Sequence, residues 1–253
     1  MDYNQNQQFS NYTVVDSKTG STGVASKTFM SGVFLWMFVA LLISSVSAYL
    51  FATTPSLLSL LLEQGANGKV GISTFGMIIT FAPLIFVLTM SFAFTRLSAP
   101  AMVAFFLLYA ATTGISLSFI LLVYTAGSVV TTFASSAAMF GVMAVMGYTT
   151  KKDLTSFGRI MMMGLIGIVI AMLVNMFLHS AQMDYIISII GVAVFTGLTA
   201  YDVQKLKNIG AGLQYEGTSV ADTRKLTIMG ALNLYLDFIN LFLMMLRLFG
   251  RRK

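Results

Sequence analysis

Two aspartates stand where a carboxylate is costly. Asp202 and Asp237 fall within apolar stretches long enough to cross a bilayer. An ionised carboxylate at membrane depth costs at least about 2.5–3.5 kcal/mol, so such groups face a cavity or a partner inside the bundle. Asp237 has Asn233 four residues before it and Asn240 three after. At 3.6 residues per turn these three share one helix face, a polar stripe that should point into the bundle. Asp202 is accompanied by Thr199 and Tyr201 near the end of its own span. If the two faces meet, the carboxylates occupy a small, poorly solvated space in which both cannot ionise cheaply. They would then share a proton and titrate as one unit, a proton-sensitive switch. An ionised pair also attracts a hard cation such as calcium. The alternative for Asp202 is a helix-end residue at the interface, beside Lys205.

Other chemistry is scarce. The chain has no cysteine and one histidine, His179, which excludes disulfides, thiolate zinc sites, a cysteine nucleophile and multi-histidine metal centres. No phosphate-binding glycine loop and no nucleophile elbow occurs, and no enzymatic activity or cofactor is expected. Arg96 is the cation between the second and third spans. By default it snorkels to the head groups, which needs no partner; the other course is to reach inward and neutralise a carboxylate. His179 reads as a solvated loop residue. Tyr124, Tyr148 and Tyr185 fall near span ends and fit an interfacial belt, while the scattered methionines fit packing.

The elements that position the aspartates follow from composition. Of 253 residues, 57% are hydrophobic and only 9% charged, against roughly 25% charged in a soluble domain. So apolar a surface must face lipid. The net charge of +6 then reads as membrane orientation rather than nucleic-acid binding. A spanning helix needs about 20 apolar residues, and the spacing predicts spans over 29–53, 72–94, 101–124, 129–148, 160–178, 185–206 and 226–249. Residues 55–62 read as a short interfacial piece, Gly65, Asn67 and Gly68 as a turn, and Pro83 as a potential kink in the second span. The fold class is thus an all-α membrane protein of about seven transmembrane helices. Gly167 with Ala171, and Ala193 with Gly197, are spaced for close helix contact, although small residues are common in membrane helices anyway. Residues 1–28 are polar, lack the apolar core and cleavage site of a secretory signal, and read as a disordered cytoplasmic tail before one helical domain over 29–253. Lys and Arg gather in the amino-terminal tail and in the second, fourth and sixth loops, which places the amino terminus in the cytoplasm. Arg247, Arg251, Arg252 and Lys253 run against this rule unless the last segment enters and turns back.

The stretch Gly230-Ala231-Leu232-Asn233-Leu234-Tyr235-Leu236-Asp237-Phe238-Ile239-Asn240-Leu241-Phe242, continued by Leu246-Arg247-Leu248-Phe249-Gly250, closely resembles the signature of the Bax inhibitor-1/YccA family. Thr199-Ala200-Tyr201-Asp202-Val203-Gln204-Lys205 resembles that family's sixth helix, and Tyr148-Thr149-Thr150-Lys151-Lys152-Asp153-Leu154 its fourth loop, especially in bacterial members. The likeness covers roughly residues 25 to 253, and the tail before Lys27 has no clear counterpart in the family.

This resemblance implies six helices surrounding a central C-terminal helix. It further implies that Asp202 and Asp237 share a proton and gate a calcium leak, with calcium as the transported ion. Arg96 matches the arginine that pairs with the sixth-helix aspartate in the closed state, and Asn233, Asn240 and Tyr201 would line the polar path. The bacterial look of the loops implies the inner membrane, and the resemblance also implies a membrane-protease partner.

Three functions compete. The first is the pH-sensitive calcium leak. The second is a non-transporting membrane regulator that binds a protease and whose aspartates merely hydrogen-bond Asn233 or Asn240. The third is an intramembrane aspartyl protease, disfavoured because Leu234-Tyr235-Leu236-Asp237 stands where that class has a Gly-x-Gly-Asp turn. A proton-coupled carrier lacks the inverted repeat it would need.

Overall fold

A computed structural model describes residues 18–64, 70–213 and 219–253, with side chains from residue 26 onward. Among these residues the chain forms eight helices and one small hairpin. In order they are α1 (Lys18–Thr53), α2 (Pro55–Leu61), β1 (Leu62–Gln64), β2 (Val70–Ile72), α3 (Thr74–Phe92), α4 (Ala99–Val123), α5 (Ala126–Thr149), α6 (Thr155–Leu178), α7 (Ala181–Gly212) and α8 (Val220–Phe249). All but α2 are long and apolar enough to cross a membrane. In lipid each backbone N–H and C=O must be satisfied within its own segment, which only the helix achieves for a single span. Serines mark four helix starts. The hydroxyls of Ser73, Ser98, Ser180 and Ser219 each accept a hydrogen bond from the backbone N–H three residues on, at the starts of α3, α4, α7 and α8, which satisfies donors the helix itself leaves free.

The expected spans correspond to the helices in order, with four differences. The first is that α1 reaches back to Lys18, into the segment read as tail. Its early turns have a packing partner: the Ser26 hydroxyl donates to the Lys207 carbonyl at 3.2 Å and Phe29 lies against Gly210 of α7. Residues 1–17 and the turn at Gly65, Asn67 and Gly68 lie outside the described residues. The second is that α3 covers Thr74–Phe92, two residues shorter at each end than the expected span, with Pro83 inside it. The third is that α6 ends on His179 in the left-handed conformation, φ 50°, where the Asn175 side chain accepts from the Ser180 N–H at 3.0 Å, a C-terminal turn more often made by glycine. The fourth concerns small residues. An added Cβ at Gly167 would meet nothing, whereas Gly158 of α6 lies against the Tyr201 ring and Gly197 against Met161 and Phe157. Ala193 is exposed.

The last helix is the hub. In its most apolar stretch 72% of residues are buried, against 6% in α6. It packs mainly on α1, α4, α5 and α7, while α3 stacks on α4 and α6 on α7. Phe238 fixes α5 against it, edge-on to Phe133 at 5.2 Å and to Phe140 at 5.6 Å.

Cross-contacts sort the helix ends onto two faces. On one, Lys225 at the start of α8 lies over Phe94, and Lys207 near the end of α7 donates to the Tyr148 carbonyl at 2.7 Å. On the other, Arg247 pairs with Asp184 at 3.2 Å, and the Thr125 N–H donates to the Arg251 carbonyl at 2.9 Å. The last helix, about 45 Å long at 1.5 Å per residue, therefore crosses fully and does not turn back. Its basic end sits on the face opposite the start of α1.

Candidate functional site

Asp237 lies about 25 Å from the start of α8 and about 18 Å from its end, deep in the bundle and 6% exposed. Its Oδ2 is buried, and no N–H or hydroxyl among the described residues donates to it, which calls for an explanation. Asp202 of α7, half-buried, is the titratable group whose charge and side chain act on Asp237. Ionised carboxylates only accept hydrogen bonds, so a bond between the two requires one of them to hold a proton.

The sequence-expected neighbours divide. Asn233 and Asn240 flank Asp237 on the same helix, both half-buried, yet among the described residues no hydrogen bond ties either amide to it. Tyr201 presses its ring on Gly158 and lines a polar pocket with Gln204, Lys205, Asn208 and Thr155 on the amino-terminal face. Arg96 is exposed just beyond α3. It takes part in neither of the two ion pairs among the described residues, Asp184–Arg247 and Asp222–Lys225. The cation whose field acts on Asp202 is instead Lys205, one turn along α7. Thr199 is fully buried and its hydroxyl bonds back to the Phe195 carbonyl of its own helix at 2.8 Å.

Two further polar features escaped the sequence reading. Gln204 clamps the α5–α6 connection: its amide nitrogen donates to the Lys152 carbonyl at 2.7 Å, and its oxygen accepts from the Leu154 N–H at 2.8 Å. On the opposite side of α8 from the aspartates' neighbours in α7, the buried Tyr235 hydroxyl meets the Ser44 hydroxyl at 2.7 Å, and Ser44 also contacts the Ala110 carbonyl at 2.7 Å. Gly114 makes this possible, since any Cβ there would collide with the Ser44 backbone. Tyr109 stacks edge-on to Tyr235 at 5.3 Å, and the Thr113 hydroxyl is buried nearby without a well-formed hydrogen bond. Hydroxyls at Ser44, Thr113 and Tyr235 inside apolar helices were the available signal, but serine and threonine so often bond their own helix that spacing alone could not single them out.

No cysteine is present, and among the described residues no group of three His, Cys, Asp or Glu could hold a metal ion. Residues 26–253 match the family model described as "Inhibitor of apoptosis-promoting Bax1". The chain is 46% identical over 227 residues to the inner membrane protein YbhL of Escherichia coli, covering 90% of this chain and 93% of that one. It is 42% identical over 225 residues to a protein of Borreliella burgdorferi, covering 89% and 92%. A Rickettsia prowazekii protein is 39% identical over 244 residues, covering 94% and 98%. With seven membrane-spanning helices, four of them packed against the last, and these relatives matched along nearly their whole length, the chain belongs to the Bax inhibitor-1 family of membrane proteins.

Proposed function

We propose that this protein is a pH-sensitive calcium leak of the bacterial inner membrane, gated by the protonation of Asp202 and Asp237. The observation that supports the reading is the buried Asp237 oxygen to which no N–H or hydroxyl donates, on a carboxyl that the Asp202 charge acts on. A purely structural aspartate at this depth would be expected to satisfy both oxygens, and the flanking Asn233 and Asn240 do not bond it. This favours the leak over the regulator that only uses the aspartates as struts. Two carboxyls at close range exchange a single proton at low cost, and when ionised they offer oxygen ligands to a hard cation. In this reading Arg96 pairs with Asp202 in a closed state other than the arrangement seen here, where the charge of Lys205 acts on Asp202. Asn233, Asn240 and Tyr201 line the path.

The amino terminus lies in the cytoplasm in this reading, favoured by the excess of Lys and Arg on that face. An impermeant thiol reagent applied to a single cysteine at Asn208 reads the side directly, with no native thiol to interfere. The gating test is calcium flux into proteoliposomes across a pH range. Native protein should give flux that depends on pH, and Asp237→Asn should flatten that dependence. Equal flux at every pH in the variant and the native chain would sink the mechanism.

A further inference from the structure

A recess of about 300 Å³ opens to the lipid side of the bundle, on the half that holds the end of α8. Its walls are Ser45 and Ala48 of α1, Leu117 and Leu121 of α4 and Val130 of α5, and its floor is Phe242 of α8. It exists because α5, although joined to α4 by only Tyr124 and Thr125, packs on α7 and α8 rather than along α4 or α1. The lining is almost wholly apolar. Ser44, the buried hydroxyl at its edge, is already committed to the Ala40 and Ala110 carbonyls and to Tyr235. Water needs two to four polar partners in such a space, and an empty slot forfeits the dispersion contacts of its lining. A hydrocarbon chain supplies them. Along α1 the recess runs from Leu41 to Tyr49, about 12 Å at 1.5 Å per residue, so an acyl chain entering from the interface fits its length.

The mouth of the recess carries charge of one sign. The Lys253 ammonium donates to the carbonyl of Leu121, itself a wall residue, at 2.7 Å. The Arg252 guanidinium lies 6.0 Å over the Tyr124 ring, and the Arg251 N–H is held by the Ser128 hydroxyl at 2.8 Å. These backbone and side-chain bonds dock the basic segment onto the α4–α5 corner. Arg247 is paired with Asp184, whereas Arg251, Arg252 and Lys253 make no ion pair with a carboxylate among the described residues. We infer that the recess and this basic segment together form a binding site for one anionic phospholipid, its acyl chain in the recess and its phosphate on Arg251, Arg252 and Lys253. Clusters of Lys and Arg beside spanning helices favour anionic head groups, and here an apolar slot of matching depth opens directly beneath them. The site is independent of the aspartate pair.

The test is native mass spectrometry of the full chain released from bilayers of equal phosphatidylglycerol and phosphatidylcholine. The native chain should retain one phosphatidylglycerol in preference to phosphatidylcholine, on the order of tenfold or more given roughly fivefold per basic residue. Arg251→Gln with Arg252→Gln and Lys253→Gln should keep a lipid but lose the preference. Ser45→Phe with Val130→Phe, two exposed wall positions whose enlargement does not threaten folding, should lose the retained lipid. Equal retention of both lipids by the native chain overturns the inference. So does undiminished retention in the filled variant.

Discussion

Two glycines on α5, six residues apart, should respond to alanine with opposite sign. At Gly147 an added Cβ would overlap the Ala200 carbonyl oxygen and lie 2.9 Å from the Ala200 Cα and carbonyl carbon. Those atoms belong to the backbone of α7, so no rotamer change relieves the clash, and overpacking of this kind costs about 1–3 kcal/mol. Against it stands the gain of about 1 kcal/mol from replacing a mid-helix glycine by alanine. With backbone as the obstacle the upper end applies, leaving Gly147→Ala less stable by about 2 kcal/mol. At Gly141, exposed on the same helix, an added Cβ meets nothing within 4 Å, so Gly141→Ala keeps the gain of about 1 kcal/mol alone. At about 2–4 °C per kcal/mol for a chain of this size, thermal unfolding in detergent should show the first variant lower by about 4–8 °C. The second should be higher by about 2–4 °C. Ala200 stands two residues before Asp202, so under the proposed function the shift forced by Gly147→Ala should also alter calcium flux, whereas Gly141→Ala should not. If Gly147→Ala melts at or above Gly141→Ala, the close approach of α5 and α7 described here is wrong.

The clamp at the α5–α6 connection makes a separate prediction. Gln204→Ala removes two hydrogen bonds from Lys152 and Leu154, worth about 1–2 kcal/mol in total because the loop is exposed and water takes over in part. Trypsin should then cut after Lys151 and Lys152 about tenfold faster, and an unchanged rate would remove the clamp from consideration. Asp153 at the same connection accepts from the Thr155 hydroxyl at 2.6 Å and from its N–H at 2.9 Å, and the hydroxyl bond, then the backbone bond, holds its carboxyl below the usual aspartate range. A lowered value in the folded state means that its stabilising contribution is complete above the ordinary value of about 3.9 and fades as pH falls through the lowered one. Carbon-13 titration of this carboxyl should show a midpoint below about 3.9 that moves up in Thr155→Val. A native midpoint at or above the ordinary value contradicts the contact.

Much of the architecture was legible in the chain because a bilayer imposes one rule everywhere. Segments free of charge for about 20 residues must be helices, and the expected spans therefore met their helices with most ends displaced by up to about two turns and the start of α1 by about three. The end of α7, which runs on to Gly212 with Gly210 packed on Phe29 and Ser26 of α1, is a place where packing between helices outweighs local polarity. Asp202 and Asp237 were conspicuous for the same reason, since their cost in lipid can be read from residue type and position alone.

What the sequence by itself determined, then, was which segments enter the membrane and which side chains are too expensive there to be idle. Tertiary structure decided which of those side chains meet. It set the charge of Lys205 acting on Asp202 and left Arg96 exposed beyond α3. It buried Gly147 against Ala200 while leaving Gly167 open to lipid, and it carried Arg251, Arg252 and Lys253 onto the α4–α5 corner. The physical reason is that helical periodicity fixes the face a residue occupies on its own helix, whereas the rotation of that face toward a neighbour is set by contacts between helices far apart in the chain, which no local pattern records.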